Sequence, residues 1–439
     1  MAFIDEPARQ TTVIARAQVV VLGGGPSGIA AAVSAARAGA TVALVERYGF
    51  LGGMGTAAMV TSFCGLHANV HGEIQRVVHG LADEIVDRLS SLGGLNRTHS
   101  VLGRTVAQSY DVGAYKCVAD DLVVGSGVDL HLHAFAAGVR MSERTIEALF
   151  IETKSGRGAI VGDVFIDCSG DADLAAWAGA PYEKGDLAFP TLMFRLGNVD
   201  DAVALAEGKP KLRALIEAEE KESGEPFPRR AAYVNPQAHA REWRVNATQI
   251  ARDGRAVDGT SHDDLRHGEV DGRRQIRRFH DFLRRRVPGF SDSYLLEIAP
   301  QLGIRETRRV VGAYVLTGDD VLACRDFPDA IGVNGWPVEE HVRGDVVWRW
   351  PAERGYHQIP FRCLVPRDVT NLLVAGRCAS ATHEGQASLR VSGPCFAMGQ
   401  AAGTAAALSA QSRTAISQIN ISQLQERLRA AGAFLGDPK

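Results

Sequence analysis

The sequence predicts an α/β fold, a parallel sheet that begins with a nucleotide-binding turn, with an α+β domain in the middle of the chain. Three observations predict it. A short β-branched run ends in three glycines and leads into an alanine-rich stretch; a second apolar run ends in an acid; and near the C-terminus another β-branched run with a glycine turn is followed by a long Ala/Gly-rich segment.

The first unit is read in chain order. Residues 18–22 are an apolar strand buried on both faces. Gly23-Gly24-Gly25-Pro26-Ser27-Gly28 follows and matches G-x-G-x-x-G. Gly23 permits the turn, Gly25 lets the backbone approach a diphosphate, and Gly28 lets the helix lie close to the strand. Residues 29–38 favour helix and stop at Gly39. The helix N-terminus, with Pro26 and Ser27, then faces the phosphates. Thr41–Val45 is the second strand, and it ends in Glu46, placed to accept hydrogen bonds from an adenosine ribose. Strand, glycines, helix, strand and acid in that order make a Rossmann-type unit. A second glycine-rich loop, from Arg47 through Gly52, Gly53 and Met54 to Thr56, returns the backbone toward the cofactor. A long two-part cofactor such as FAD needs that return; a nicotinamide dinucleotide does not.

Size and composition are those of an ordinary soluble globular protein. The 439 residues are 46% hydrophobic with a formal net charge of -3, enough for two or three domain-sized units. That balance excludes nucleic acid or an anionic membrane as the main partner. The seven cysteines form no C-x-x-C pair, which excludes a disulfide framework, a zinc ribbon and a thioredoxin-like pair and points to reduced thiols in the cytoplasm. No metal site and no secretory leader are legible. The stretch 392–410 is apolar through alanine and contains Gln400 and Ser409, so it reads as a packed helix rather than a membrane span.

Five segments carry a resemblance to a known family: VVVLGGGPSGIAAA, LVERYGFLGGMGT, FIDCSGDADLAAWAGA, LGIRETRRVVGAYVLTGDDV and IPFRCLVPRDVTNLLVAGRCASATHEGQASLRVSGPCFAMGQAAGTAAAL. With them the chain resembles FAD-dependent oxidoreductases related to the succinate dehydrogenase and fumarate reductase flavoproteins, over most of its length. The resemblance implies FAD and a small-molecule substrate, with an electron donor or acceptor that the motifs leave open; a homo-oligomer is compatible with it. It implies that Ala134–Ala136 lie near the adenine and that the turn at Gly170 and Asp171 closes over the cofactor. It also puts Gly376 and Arg377 at the diphosphate and ribityl chain, and the helix starting at Ser392 and Gly393 at the flavin pyrimidine edge. The H-x-T-x-G-G context of covalent attachment is missing, so the FAD is expected to be non-covalent.

The expected organisation is an FAD-binding part over 13–184 with a mixed insertion at about 57–110, a substrate or cap domain over 185–350, and a second FAD-binding part over 351–439. A helix is expected near 73–92. Residues 185–350 contain no second dinucleotide motif, which excludes a built-in NAD(P)H domain. The arginine-rich run Gly272–Val287 spaces Ile276, Phe279 and Leu283 as an amphipathic helix with a solvated basic face.

For chemistry, His383, Glu384 and Arg390 are expected along the flavin: His383 as general acid or base, and Glu384 and Arg390 as groups that orient it or bind a carboxylate. The alternative is that these side chains hold one another and the loop. Arg305, Thr307 and Arg309 share one face if their segment is a strand, and Arg305 suits a substrate carboxylate; the alternative is internal Arg–Glu pairing. Cys64 reads as inert. Trp348-Arg349-Trp350-Pro351 resembles the start of a flavin halogenase motif, but Glu353 and Arg354 stand where Ile-Pro is needed, and the likeness is set aside. The leading expectation is a flavin dehydrogenase or reductase that transfers a hydride between flavin N5 and a small substrate. A flavin monooxygenase fed by a separate reductase and a flavin-binding regulatory or assembly protein without turnover are the alternatives.

Overall fold

A computed structural model describes Ile4 and residues 7–436. Strand β1 (Thr12–Leu22) is longer than its apolar run; Val19–Val21 are fully buried. Gly23 turns the chain with φ of +97°, and helix α1 (Pro26–Arg37) begins on a proline in its first turn. Strand β2 (Val42–Val45) returns parallel to β1. After helix α2 (Val112–Gly125) and strand β3 (Asp129–His131), three strands fold back on one another: β4 (Phe135–Ser142), β5 (Thr145–Thr153) and β6 (Gly156–Asp167). The helix expected near 73–92 is shorter. Residues Glu73–Arg76 form a hairpin with His67–Val70, and the helix is confined to Leu81–Ser91. Gly72 and Gly80, both at positive φ, explain the split: one makes the hairpin turn, the other stands just ahead of the helix.

The inserted domain is an antiparallel sheet under a long helix. Strands β7 (Phe194–Gly197), β8 (Tyr233–Pro236) and β9 (Trp243–Asn246), with helix α3 (His262–Arg286) and strand β10 (Tyr294–Ile298), give the sheet order β8-β9-β7-β10. Its core gathers Leu192, Phe194, Trp243 and Val245 with Ile276, Phe279, Phe282 and Leu283 from α3. The opposite face of α3 carries the arginines, and Arg285 and Arg286 pair with Glu219 and Glu222. Exposed pairs of this kind contribute little to stability.

The chain then returns through a hairpin, β11 (Val338–Val342) and β12 (Asp345–Arg349), to strand β13 (Leu372–Val374), helix α4 (His383–Leu389) and helix α5 (Ser392–Ser412). The main sheet has the order β3-β2-β1-β6-β5-β4. Strand β6 shares one edge between two partners: β5 runs antiparallel along its first half and β13 parallel along its last residues, Phe165–Asp167. Both ends of the chain therefore supply the parallel sheet. Leu316, Val321, Ile331, Val333 and Val338, ahead of residue 350, pack into this core and not into the inserted one.

Helix α5 lies directly on α1. A Cβ on Gly399 would stand 2.1 Å from the Ser27 carbonyl oxygen, and one on Gly403 would stand 2.1 Å from that of Ala31. This glycine pair is thus the surface on which the two helix backbones meet. Among the described residues no helix is long and apolar enough to cross a membrane, and the seven cysteines are free thiols.

Candidate functional site

One continuous cavity of about 690 Å³ runs from the glycine turn of β1, past the start of α5, to the underside of the inserted domain, a volume ordinary for a cofactor or ligand site. At its first end the glycines divide by role. A Cβ on Gly28 would lie 1.7 Å from the Gly23 carbonyl oxygen, and one on Gly23 would lie 2.4 Å from that of Cys168, so both are closed by packing. A Cβ on Gly25 would meet nothing nearer than Gly53 Cα at 3.7 Å. Gly25 thus leaves an open cradle on the cavity wall, at the mouth of a helix whose first turn no side chain caps. That is the space and polarity a diphosphate requires.

Glu46 lines the same end. Its Oε2 accepts the Gly24 N–H at 2.7 Å and its Oε1 the Tyr48 N–H at 3.0 Å. Burial raises its pKa, and these backbone donors oppose the rise. Arg47 is held to Gln301 and over the Tyr48 ring. Met54 and Ala136 are also on the wall.

Midway, Gly170 stands at φ +77°, and a Cβ there would touch Arg377 Nη2 at 2.9 Å. Arg377, on the wall, pairs with buried Asp171 at 2.8 Å; Thr307 donates to the same carboxylate oxygen at 2.9 Å. Asp171 lines a smaller neighbouring cavity that shares Arg47, Met54 and Arg377 with the main one, and a Cβ on Gly376 would meet Ser27 Oγ at 2.6 Å. Ser27 donates to the Ala375 carbonyl, tying the first turn of α1 to the end of β13. Ser392 accepts the Cys64 N–H through Oγ, and Gly393 donates to the Cys64 carbonyl. Ser392 is exposed to the cavity; Gly393 is packed on Gly65.

The far end is lined by Lys209, Arg229, Tyr233, Arg244, Arg305, Trp336, Glu339, His341, Trp348 and Arg390. Glu339 accepts from Trp336 Nε1 at 3.0 Å, pairs with His341 Nε2 at 3.0 Å and lies 3.4 Å from Arg390. Burial alone would raise its pKa, but His341, Arg390 and Arg305 bring it down to about 2. His341 is held well below the usual imidazole range by burial and by Arg305. A carboxylate only accepts, so the neutral ring donates through Nε2 and keeps its lone pair on Nδ1. Burial lowers the pKa of Arg229, Arg244 and Arg305, and each remains cationic at neutral pH. Cys64 is on the wall, but burial pushes its thiol up to about 12, so it is no thiolate at neutral pH.

Of the residues expected to carry chemistry, Arg305 and Arg390 reach this end, and His383 and Glu384 do not. His383 Nδ1 is paired with fully buried Glu306 at 2.8 Å, and Glu384 packs in the first turn of α4 against Gly318. Their contacts are those of the alternative, side chains that hold the loop. The segment 305–308 is coil, with the strand starting only at Arg309, and its side chains go to different partners. Arg305 donates to the Phe189 carbonyl and Thr191, Thr307 to Asp171, and Arg309 to Glu306 and the Ala381 carbonyl. Arg229, Arg244, Glu339 and His341 were not singled out from the sequence. Trp348 was noticed and set aside. Its aromatic run, with Arg305 and Arg390, is what the sequence offers toward this end. Among the described residues no cluster of three or more His, Cys, Asp or Glu is placed to hold a metal.

The family model described as FAD dependent oxidoreductase matches residues 18–428. Curated relatives include the soluble pyridine nucleotide transhydrogenases of Mycobacterium tuberculosis (strain H37Ra) and Mycobacterium bovis (strain BCG), 31% identical over 145 residues; the match spans 31% of this chain and 30% of each relative. Solved structures of similar layout include a geranylgeranyl bacteriochlorophyll reductase-like protein from Thermoplasma acidophilum, at 14% identity and TM-score 0.49, covering 96% of this chain and 84% of that one. Another is p-nitrophenol 4-monooxygenase from Pseudomonas putida, at 12% identity and TM-score 0.42, covering 97% and 82%.

Proposed function

The chain belongs to the FAD-dependent oxidoreductase family, and on that premise we propose that it oxidises or reduces a small organic acid bound at the arginine-lined end of the cavity. The observation that carries this is continuity: one cavity joins the open Gly25 cradle and Glu46 to Arg229, Arg244, Arg305 and Arg390. FAD, when bound, supplies the two-electron redox chemistry.

Gly25 and the first turn of α1 would hold its diphosphate, Glu46 and Arg47 its ribose, and Ala136 its adenine; Met54, Gly170, Arg377 and Ser392 would hold the remainder. The fit rests on the cradle a Cβ would fill and on a buried carboxylate already fixed by two backbone donors. The arginines bind and orient the acid. His341, neutral and fixed by Glu339, holds the Nδ1 lone pair that takes up the substrate proton. The walls of the inserted domain and of the β11–β12 hairpin keep water from the reacting atoms.

The test is FAD uptake by the purified protein followed by an anaerobic screen of organic acids for flavin bleaching. Bleaching by an acid, weakened at least tenfold in His341→Gln, is the expected result. Colourless protein that takes up no FAD overturns the reading, as does incorporation of labelled oxygen into the substrate, which would make it a monooxygenase.

A further inference from the structure

The glycine turn accounts for one end of the cavity but not for the charge at the other. Among the described residues, the far end presents five cationic side chains, Lys209, Arg229, Arg244, Arg305 and Arg390, against one carboxylate, Glu339. Arg229 is 2% exposed and Arg244 7%. Four buried guanidinium N–H positions have no acceptor: Arg229 Nε and Nη2, Arg244 Nε and Arg390 Nε. Buried donors are ordinarily paired, and charged ones are the most costly to leave unpaired. Glu339 does not supply what is missing, since it is already shared by Trp336, His341 and Arg390. The diphosphate cradle is at the opposite end. The walls between these cations are flat and apolar. Arg229 lies 5.3 Å from the centroid of the Tyr233 ring, and Trp336 and Trp348 meet edge to face at 5.9 Å.

We infer that this end binds an organic dianion with a flat, apolar body, its two negative charges taken by the guanidinium groups of Arg229, Arg244 and Arg390 that line the cavity and its body set against Trp336, Trp348 and Tyr233. The inference rests on the proposed function and names the substrate class of that site. Two charges suit the cluster better than one, because a dianion offsets more of the positive charge that Glu339 alone leaves uncompensated. The charges come as two carboxylates or as one phosphate monoester, and the same donors serve either.

The test titrates the protein, loaded with FAD or as purified if it takes none, with isophthalate, phenyl phosphate, benzoate and succinate. Tryptophan fluorescence reports binding in every case, and the flavin absorption band reports it in the loaded protein. Isophthalate or phenyl phosphate should bind at least about tenfold more tightly than benzoate, the difference one charge-assisted hydrogen bond makes, and more tightly than succinate, which has no flat body. The tighter of the two names the acid group. Arg229→Gln should lose about tenfold of that affinity with FAD uptake unchanged, and Arg229→Lys should restore part of it. If Arg229→Gln does not fold, Arg244→Gln and the wild-type ranking decide. Equal affinity for benzoate and both dianions overturns the inference, as does binding of none of them. Protein that ranks the acids as stated but takes no FAD sinks the proposed function alone; protein that takes FAD and ranks none sinks this inference alone.

Discussion

The two ends of the cavity treat charge in opposite ways. At the glycine-turn end every charged wall residue has its partner: Glu46 with two backbone N–H groups, Arg47 with Gln301, Asp173 with Arg308, and Arg377 with Asp171. At the far end four buried guanidinium N–H positions have none. The first end is finished within the chain and leaves only an open cradle. The second is complete only with an anion. The difference teaches where binding specificity sits. The cofactor end is stabilised by folding, whereas the substrate end is held in an unfavourable state by the rest of the fold.

Breaking the finished end should cost most. Arg377→Gln leaves Asp171 buried with only the Thr307 hydroxyl, and removal of one partner of a buried pair costs about 3–5 kcal/mol. Urea unfolding should find that loss, and FAD uptake should fall with it. A cost below about 1 kcal/mol would mean the pair is not the buried anchor described here.

The support beneath the far end comes next. His357 is fully buried; Asn334 donates to its Nε2, and Asn334 also bonds Ser388, which donates to the Trp336 carbonyl. Burial lowers the His357 pKa to about 4. A histidine whose folded pKa lies below its unfolded value, about 6.5, contributes stability above that value and loses it as pH falls toward the folded pKa. Between pH 6.5 and 4 this amounts to about 3 kcal/mol. The slope of unfolding free energy over that window should be flatter in His357→Gln, and an unchanged slope would remove His357 from the account.

The smallest effect sharpens the comparison most. Arg229→Gln deletes a buried charge held by Asn246 Oδ1 and the Tyr233 ring but by no carboxylate, so its unfolding free energy should stay within about 1 kcal/mol of wild type or rise. A loss as large as that of Arg377→Gln would show that the far end is internally satisfied and needs no ligand.

How much could be read beforehand follows the same division. The glycine turn, Glu46 and the α5 glycines are contiguous signals, because diphosphate binding and close helix packing each depend on residues a few positions apart. Arg229, Arg244, Glu339, His341 and Trp348 stand on three short strands and a loop over more than a hundred residues, and no local period joins them. His383 misled for a related reason. It follows Arg377 closely in sequence, but the first turn of α4 directs it to Glu306, whose neighbours Arg305 and Arg309 lie far away along the chain.

The amino-acid sequence by itself determined the α/β class and the dinucleotide turn, since each is written in local geometry: a glycine where a Cβ has no room, a helix start, an acid at a strand end; the pairing of the two chain ends followed from the family resemblance of the C-terminal segments. Only the tertiary structure decided which polar residues face the cavity. Facing depends on how strands from distant segments register and on which charges find partners when they are buried together, and four buried arginine N–H positions that find none mark the substrate end.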